Sequence, residues 1–223
     1  MLKTIAPALM LLLHAPLTLA EASCSSDGQP QPLALYERFI NADCENCWAS
    51  APEHTPGPLA LVVDWVVPGS LGDDAPLSTV ATRDALWRLQ ELRRPVPAWT
   101  DTHVSDVAPR GRLRVALGPA VADYVGTGIR LGARPGNYQF TLLLVESLPA
   151  GTEGSPVARN LVRNSLQGTW DERDQLPKGE HFNWMENRSM RIPEGARAER
   201  LRTAGWVQDG EGRVIAAAGA VCR

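Results

Sequence analysis

Lysine is nearly missing from this chain. Lys3 and Lys178 are the only two among 223 residues, and the other cations are arginines scattered along the whole length. With 22 basic and 25 acidic residues, the formal net charge is −3. There is neither a basic cluster nor a positive excess to draw in nucleic acid or an anionic membrane surface, so no nucleic-acid partner is expected. Long apolar runs are also missing. Past the N-terminus no stretch reaches the roughly eighteen apolar residues of a membrane-spanning helix, so no membrane span is expected in the mature protein. No Gly-x-Ser-x-Gly elbow, His-Glu-x-x-His pair or phosphate-cradling loop occurs. The commonest marks of serine hydrolases, zinc proteases and nucleotide-binding enzymes are thereby excluded. Neither internal repeats nor low-complexity tracts are found.

What remains is an ordinary globular composition, 44% hydrophobic and 21% charged, with enough length for one large domain or two small ones. Nineteen glycines and 18 prolines argue for many turns and few long helices. Residues 1–22 have the parts of a secretory signal: Lys3, the short apolar run Ile5 to Leu13, and Ala20-Glu21-Ala22 as a cleavage site. They place the mature chain, starting at Ser23, in the periplasm or outside the cell. A lipid anchor on Cys24 is the alternative, and Glu21 stands where such a signal has Leu.

Export makes the cysteines informative, because disulfides persist outside the cytosol. Cys24, Cys44, Cys47 and Cys222 can pair in three ways. Cys44-Glu45-Asn46-Cys47 is a C-x-x-C whose thiols can meet at a helix start. Cys24 and Cys222 lie near opposite ends, and domain termini are often close in space. A structural disulfide between them would stabilise by roughly 5 kcal/mol in the loop-entropy model.

Leu33 to Ile40 reads as a strand, and Asp43 as the cap of a helix that Pro52 limits to about two turns. The nearly continuous apolar run Leu59 to Val67 reads as a strand buried on both faces. Together they make a β-α-β unit. Ser78 or Thr79 caps a second helix that ends at Arg94, with Ala85, Leu89 and Leu92 as its apolar stripe and Leu86 beside them. From Gly111 onward, short β-like runs alternate with Gly, Pro and Asn: residues 113–117, 138–146, 160–166, 200–208 and 213–218. Asp209 to Gly212 is a hairpin turn. The expected architecture is an α/β unit over residues 33–110, followed by an all-β, sandwich-like unit over 111–223.

In these residues the chain resembles an uncharacterised family of secreted bacterial proteins with a thioredoxin-like fold. The match runs through the C-x-x-C after the first strand and Val63-Asp64-Trp65 in the second. It continues through Arg83-Asp84 and Trp87 in the helix, Asn160-Leu161-Val162-Arg163, and a final hairpin with Val207-Gln208, Gly212 and Ala216-Ala217. The resemblance implies a thioredoxin-like domain at 33–110. The sequence departs from the family in a shortened first helix, in Glu and Asn between the cysteines, and in having only Pro97 for a proline segment facing them.

Three chemistries fit the C-x-x-C. In thiol–disulfide exchange with envelope proteins, Cys44 attacks and Cys47 resolves, and Asp43 and Glu45 oppose the thiolate that a helix start favours. In a non-catalytic binding or structural module, the bond is a permanent staple. A metal site has only two soft ligands here and His54 as its one nearby histidine. Trp48 stands where haem attachment needs His. No cofactor is implied. Asp64, inside an apolar strand, is a candidate for proton transfer to the resolving cysteine, or else an acid bonded to loop amides. His103 and His181 read as solvated loop residues. Trp170, Trp184 and Trp206 line a groove or fill the core, and Asn187-Arg188-Ser189 matches the glycosylation pattern.

Overall fold

The structure, a computed structural model, describes residues 24–52, 55–133, 135–172 and 183–222. The expected signal segment, His54, Lys178 and His181 lie outside the described residues. Among the described residues, strand makes up 51% and helix, 3-10 turns included, 13%. In chain order the elements are β1 (Cys24–Ser25), β2 (Ala34–Asn41), α1 (Glu45–Ala49), β3 (Ala60–Val67), α2 (Arg83–Glu91), β4 (Thr100–Asp106), β5 (Arg112–Val121) and β6 (Tyr124–Gly132). They continue with β7 (Tyr138–Leu148), β8 (Arg159–Trp170), β9 (Asn183–Arg191), β10 (Leu201–Asp209), β11 (Val214–Gly219) and β12 (Val221–Cys222).

These strands form two sheets. One has the order β12-β1-β5-β6-β9, the other β11-β10-β7-β8-β3-β2-β4. The expected thioredoxin-like α/β unit is therefore corrected to a mostly β architecture of two sheets. The β-α-β connection does form, with β2 and β3 parallel in register from Ala34↔Ala60 to Asn41↔Val67. It does not stand as an α/β layer. β3 goes on to pair with β8, β2 with β4, and the rest of the seven-stranded sheet is antiparallel. That sheet takes three strands from before residue 111 and four from after it.

Alternation along the strands assigns the two faces of the large sheet. Leu143, Val145, Ala204 and Trp206 face one side, where they share a core with Leu35, Phe39, Val63, Trp65 and the α2 residues Ala85 and Leu89. Leu142, Leu144, Leu201 and Val207 face the other, packing on Val115, Ile129 and Leu131 of the five-stranded sheet. Gly205 marks how closely the two sheets approach. A methyl group there would come within 3.1 Å of Ile129 Cδ1 and 2.7 Å of the Thr141 carbonyl. Trp170, Trp184 and Trp206 are all core residues, and Trp170 stacks on Phe140 with centroids 4.6 Å apart.

The helices are shorter than the sequence suggested. Thr82, not Ser78 or Thr79, caps α2 by accepting from the Ala85 amide, because Ser78–Val80 forms its own 3-10 turn. α1 is a single turn whose N-cap is Cys44 itself. The expected Cys24–Cys222 disulfide is present, with Cα atoms 4.0 Å apart and Cys24 opposite Cys222 in the β1–β12 ladder.

Candidate functional site

Cys44 and Cys47 are joined by a disulfide, their Cα atoms 5.3 Å apart. β2 carries the chain to this point, and two side chains hold the corner that follows it. Asn41 accepts from the Asp43 amide at 2.9 Å and donates to the Pro97 carbonyl at 2.8 Å. Asp43 accepts from the Ser70 amide and hydroxyl at 2.7 and 2.8 Å and from the Leu71 amide. Burial pushes the Asp43 carboxyl up, but those hydrogen bonds outweigh it and hold the group below its ordinary value. Asp43 is thus committed to the loop after β3 and does not cap the helix. The cap is sulfur: the Cys47 amide donates to Cys44 Sγ at 3.2 Å.

The two sulfurs differ in access. Cys44 is buried at 6% exposure, whereas Cys47 is only part-buried. Cys47 lines a cavity of about 330 Å³ together with Tyr36, Arg38, Thr102 and Arg159. Of the two cysteines, the second and not the first borders the cavity. Among the described residues every peptide bond is trans, Pro97 included.

Behind the cavity lies Asp64, fully buried. Arg38 pairs across the β2–β3 ladder with Asp64. Its Nη2 donates to Oδ2 at 2.9 Å, while Nε sits 2.6 Å from Oδ1 in an ionic contact too poorly aligned to be a hydrogen bond. Arg159 Nη1 reaches Oδ1 at 3.3 Å, and the Asn160 amide donates to Oδ2 at 2.9 Å. Two guanidiniums thus share one carboxylate. Arg159 also donates from Nη2 to the Trp48 carbonyl at 2.8 Å and from Nε to Ser155 at 2.7 Å. Burial lowers the Arg159 pKa, and the Asp64 charge only partly offsets it. Neither cysteine sulfur is a hydrogen-bond partner of Asp64. Its link to the disulfide runs through Arg159 and Trp48.

Sequence reasoning found Cys44, Cys47 and Asp64 but missed Arg38 and Arg159. The signal for Arg38 was available: a cation in a strand predicted to pair with the one containing Asp64. Arg159 comes from a distant segment and had no local mark. His103 is part of β4, part-buried, with its ring 3.0 Å from Ser105 Oγ. Asn187 is exposed on β9. Among the described residues no three His, Cys, Asp or Glu side chains gather as a metal set.

No family model matches the chain, and no curated protein does. Among solved structures it is similar to the X-ray crystal structure of protein AGR_C_4864 from Agrobacterium tumefaciens. The two share 12% identity over 86% of this chain and 94% of that one, with a TM-score of 0.48. A likeness at that level carries neither fold nor function across. Among the described residues no helix is long and apolar enough to cross a membrane. The two disulfides are compatible with an oxidising location.

Proposed function

We propose that this protein exchanges disulfides with protein thiols through the Cys44–Cys47 pair, in the periplasm or outside the cell. The observation that carries the reading is the asymmetry of the two cysteines. Cys47 faces a cavity, while Cys44 is buried with an amide N–H already directed at its sulfur. A thiolate from the partner would attack Cys47 Sγ, forming a mixed disulfide there as the Cys44–Cys47 bond breaks. The electron pair would leave on Cys44, where the Cys47 amide favours the anion. A second partner thiolate would then attack the partner's own sulfur and release Cys47. The result is an oxidised partner and a reduced Cys44/Cys47 pair, and the reverse sequence is equally balanced. Asp64 acts in this scheme as a positioning residue, anchoring Arg159 and through it the end of α1.

The test is thiol titration of the folded protein under mild reductant, with both single-cysteine variants. Exchange requires reversible reduction of one bridge. It also requires Cys44→Ala, which leaves Cys47 as a free thiol, to form mixed disulfides when treated with a disulfide-linked cystine peptide, releasing one peptide thiol, while Cys47→Ala does not. Two bridges that resist reduction until unfolding would sink the reading. They would favour a second one, a non-catalytic module in which this bond is a staple. The burial of Cys44 and the Arg159 tie to the end of α1 support that alternative.

A further inference from the structure

Among the described residues, the charges around the cavity beside Cys47 do not balance. Arg38 and Arg159 contribute two cations, at 7% and 3% exposure, and Asp64 answers them with one anion. Asp101 also lines the cavity but is taken: Arg94 donates to both of its oxygens at 2.5 Å, so that pair cancels. Glu37 and Arg88 lie on the opposite face of β2 and answer each other at 2.7 Å. Among the described residues, one positive charge is left over at the wall that Cys47 shares. Arg38 turns its Nε and Nη2 to Asp64, but among the described residues no acceptor meets its Nη1. A guanidinium with an unused N–H donor at the edge of a cavity can receive a carboxylate oxygen in a charge-assisted hydrogen bond.

We propose that this cavity selects partner proteins whose reactive cysteine has an aspartate or glutamate beside it, the acidic side chain docking against Arg38 as the thiolate meets Cys47. The proposal rests on the exchange reading and names the substrate class for the same site. One or two side chains fit the volume of about 330 Å³. The attack itself is the step already written: partner sulfur to Cys47, electron pair to Cys44. The docked carboxylate adds no bond-making and serves only to bring the two sulfurs together.

The experiment uses three capped tripeptides, Asp-Cys-Gly, Asn-Cys-Gly and Lys-Cys-Gly, as reductants of the folded, oxidised protein, with second-order rates compared per thiolate. The Asp peptide is expected to react at least about fivefold faster than the Asn peptide at low salt, and the Lys peptide slowest. Raising ionic strength to about 0.5 M should shrink the gap. Arg38→Gln should remove most of the preference, read as the ratio of the Asp-peptide rate to the Asn-peptide rate. If that variant does not fold, the peptide series and its salt dependence on the unaltered protein decide the matter. Equal rates for all three peptides overturn the acidic-partner assignment and leave exchange standing. Failure of every peptide to reduce the folded protein overturns exchange itself, and the assignment falls with it.

Discussion

Arg159 holds Trp48 from two directions. Its Nη2 donates to the Trp48 carbonyl at 2.8 Å, and its guanidinium carbon lies 4.6 Å above the indole centroid. With its bonds to Asp64 and Ser155, one side chain joins the end of α1, the interior of β3 and the start of β8. Trp48 itself is buried and donates its indole N–H to the Glu153 carbonyl at 2.6 Å, so arginine and indole together fix where the single-turn helix carrying the disulfide sits.

Replacing Arg159 with Met should cost about 3 kcal/mol, the lower end for breaking a buried ion pair, because Arg38 stays with Asp64. For a domain of this size the melting temperature should drop by roughly 6–12 °C. Freed of its tie, the Cys44–Cys47 bond should be reduced several-fold faster. Thermal melting and reduction kinetics on one preparation check both, and an unchanged melt would show the clamp to be idle.

On the other face of β2, Glu37 and Arg88 form a two-pronged buried pair at 2.7 and 2.8 Å, with the guanidinium 4.9 Å from the Trp206 ring centroid. Arg88→Met strands a fully buried carboxylate and should cost about 3–5 kcal/mol. The double variant Glu37→Leu/Arg88→Met should recover more than half of that, because no lone charge is left. Urea denaturation of both variants measures the recovery.

The two disulfides should differ sharply in what they contribute. Cys24 and Cys222 are 198 residues apart, and losing their bond should cost about 5 kcal/mol in the loop-entropy model. Cys44 and Cys47 are 3 apart, where the same model gives about 2 kcal/mol. Serine at each pair in turn, followed by denaturant melts, gives the comparison. Equal losses would contradict the simple entropy account.

Acid should weaken the fold in two stages. Burial lowers the His103 pKa from its ordinary 6.5, with Arg88 and Arg94 pushing the same way and Glu37 and Asp101 opposing. The unfolded chain then takes up this proton at a higher pH than the folded one. The His103 contribution is complete above pH 6.5 and is lost as pH falls from there toward the folded value. Asp101 acts lower down. Its hydrogen bond from Arg94 outweighs burial and holds the carboxyl below 3.8, so its contribution is present above that value and is lost on further acidification. His103→Gln should flatten the upper stage and leave the lower one, as read from denaturation midpoints across pH.

Most of the core strands were legible in the sequence. β2, β3, β7, β8, β10 and β11 all have continuous or alternating apolar residues, and each was anticipated within a few positions. The strands that escaped notice have weaker or interrupted apolar patterns. β4, Thr-Asp-Thr-His-Val-Ser-Asp, has no fully buried residue, and β6 is interrupted by glycines. β9 reads as polar but for Trp184 and the two methionines, and its partner β6 supplies the backbone bonds that define it. Missing these three turned a two-sheet architecture into an apparent α/β unit with a β appendage. The site was half legible for a similar reason. A C-x-x-C announces itself over four residues, whereas Asp64 meets Arg159 only because β3 and β8 run side by side.

The Cys24–Cys222 bond has a mechanical consequence. Tension applied to the chain outside these two residues would be carried across a single covalent link and would not reach the sheets. Such a protein can be tugged by its flanking segments, during passage through a pore or when tethered to a surface, without being unravelled. Reductant removes that safeguard, and the first strands exposed to the load would then be the short end pair, β1 and β12.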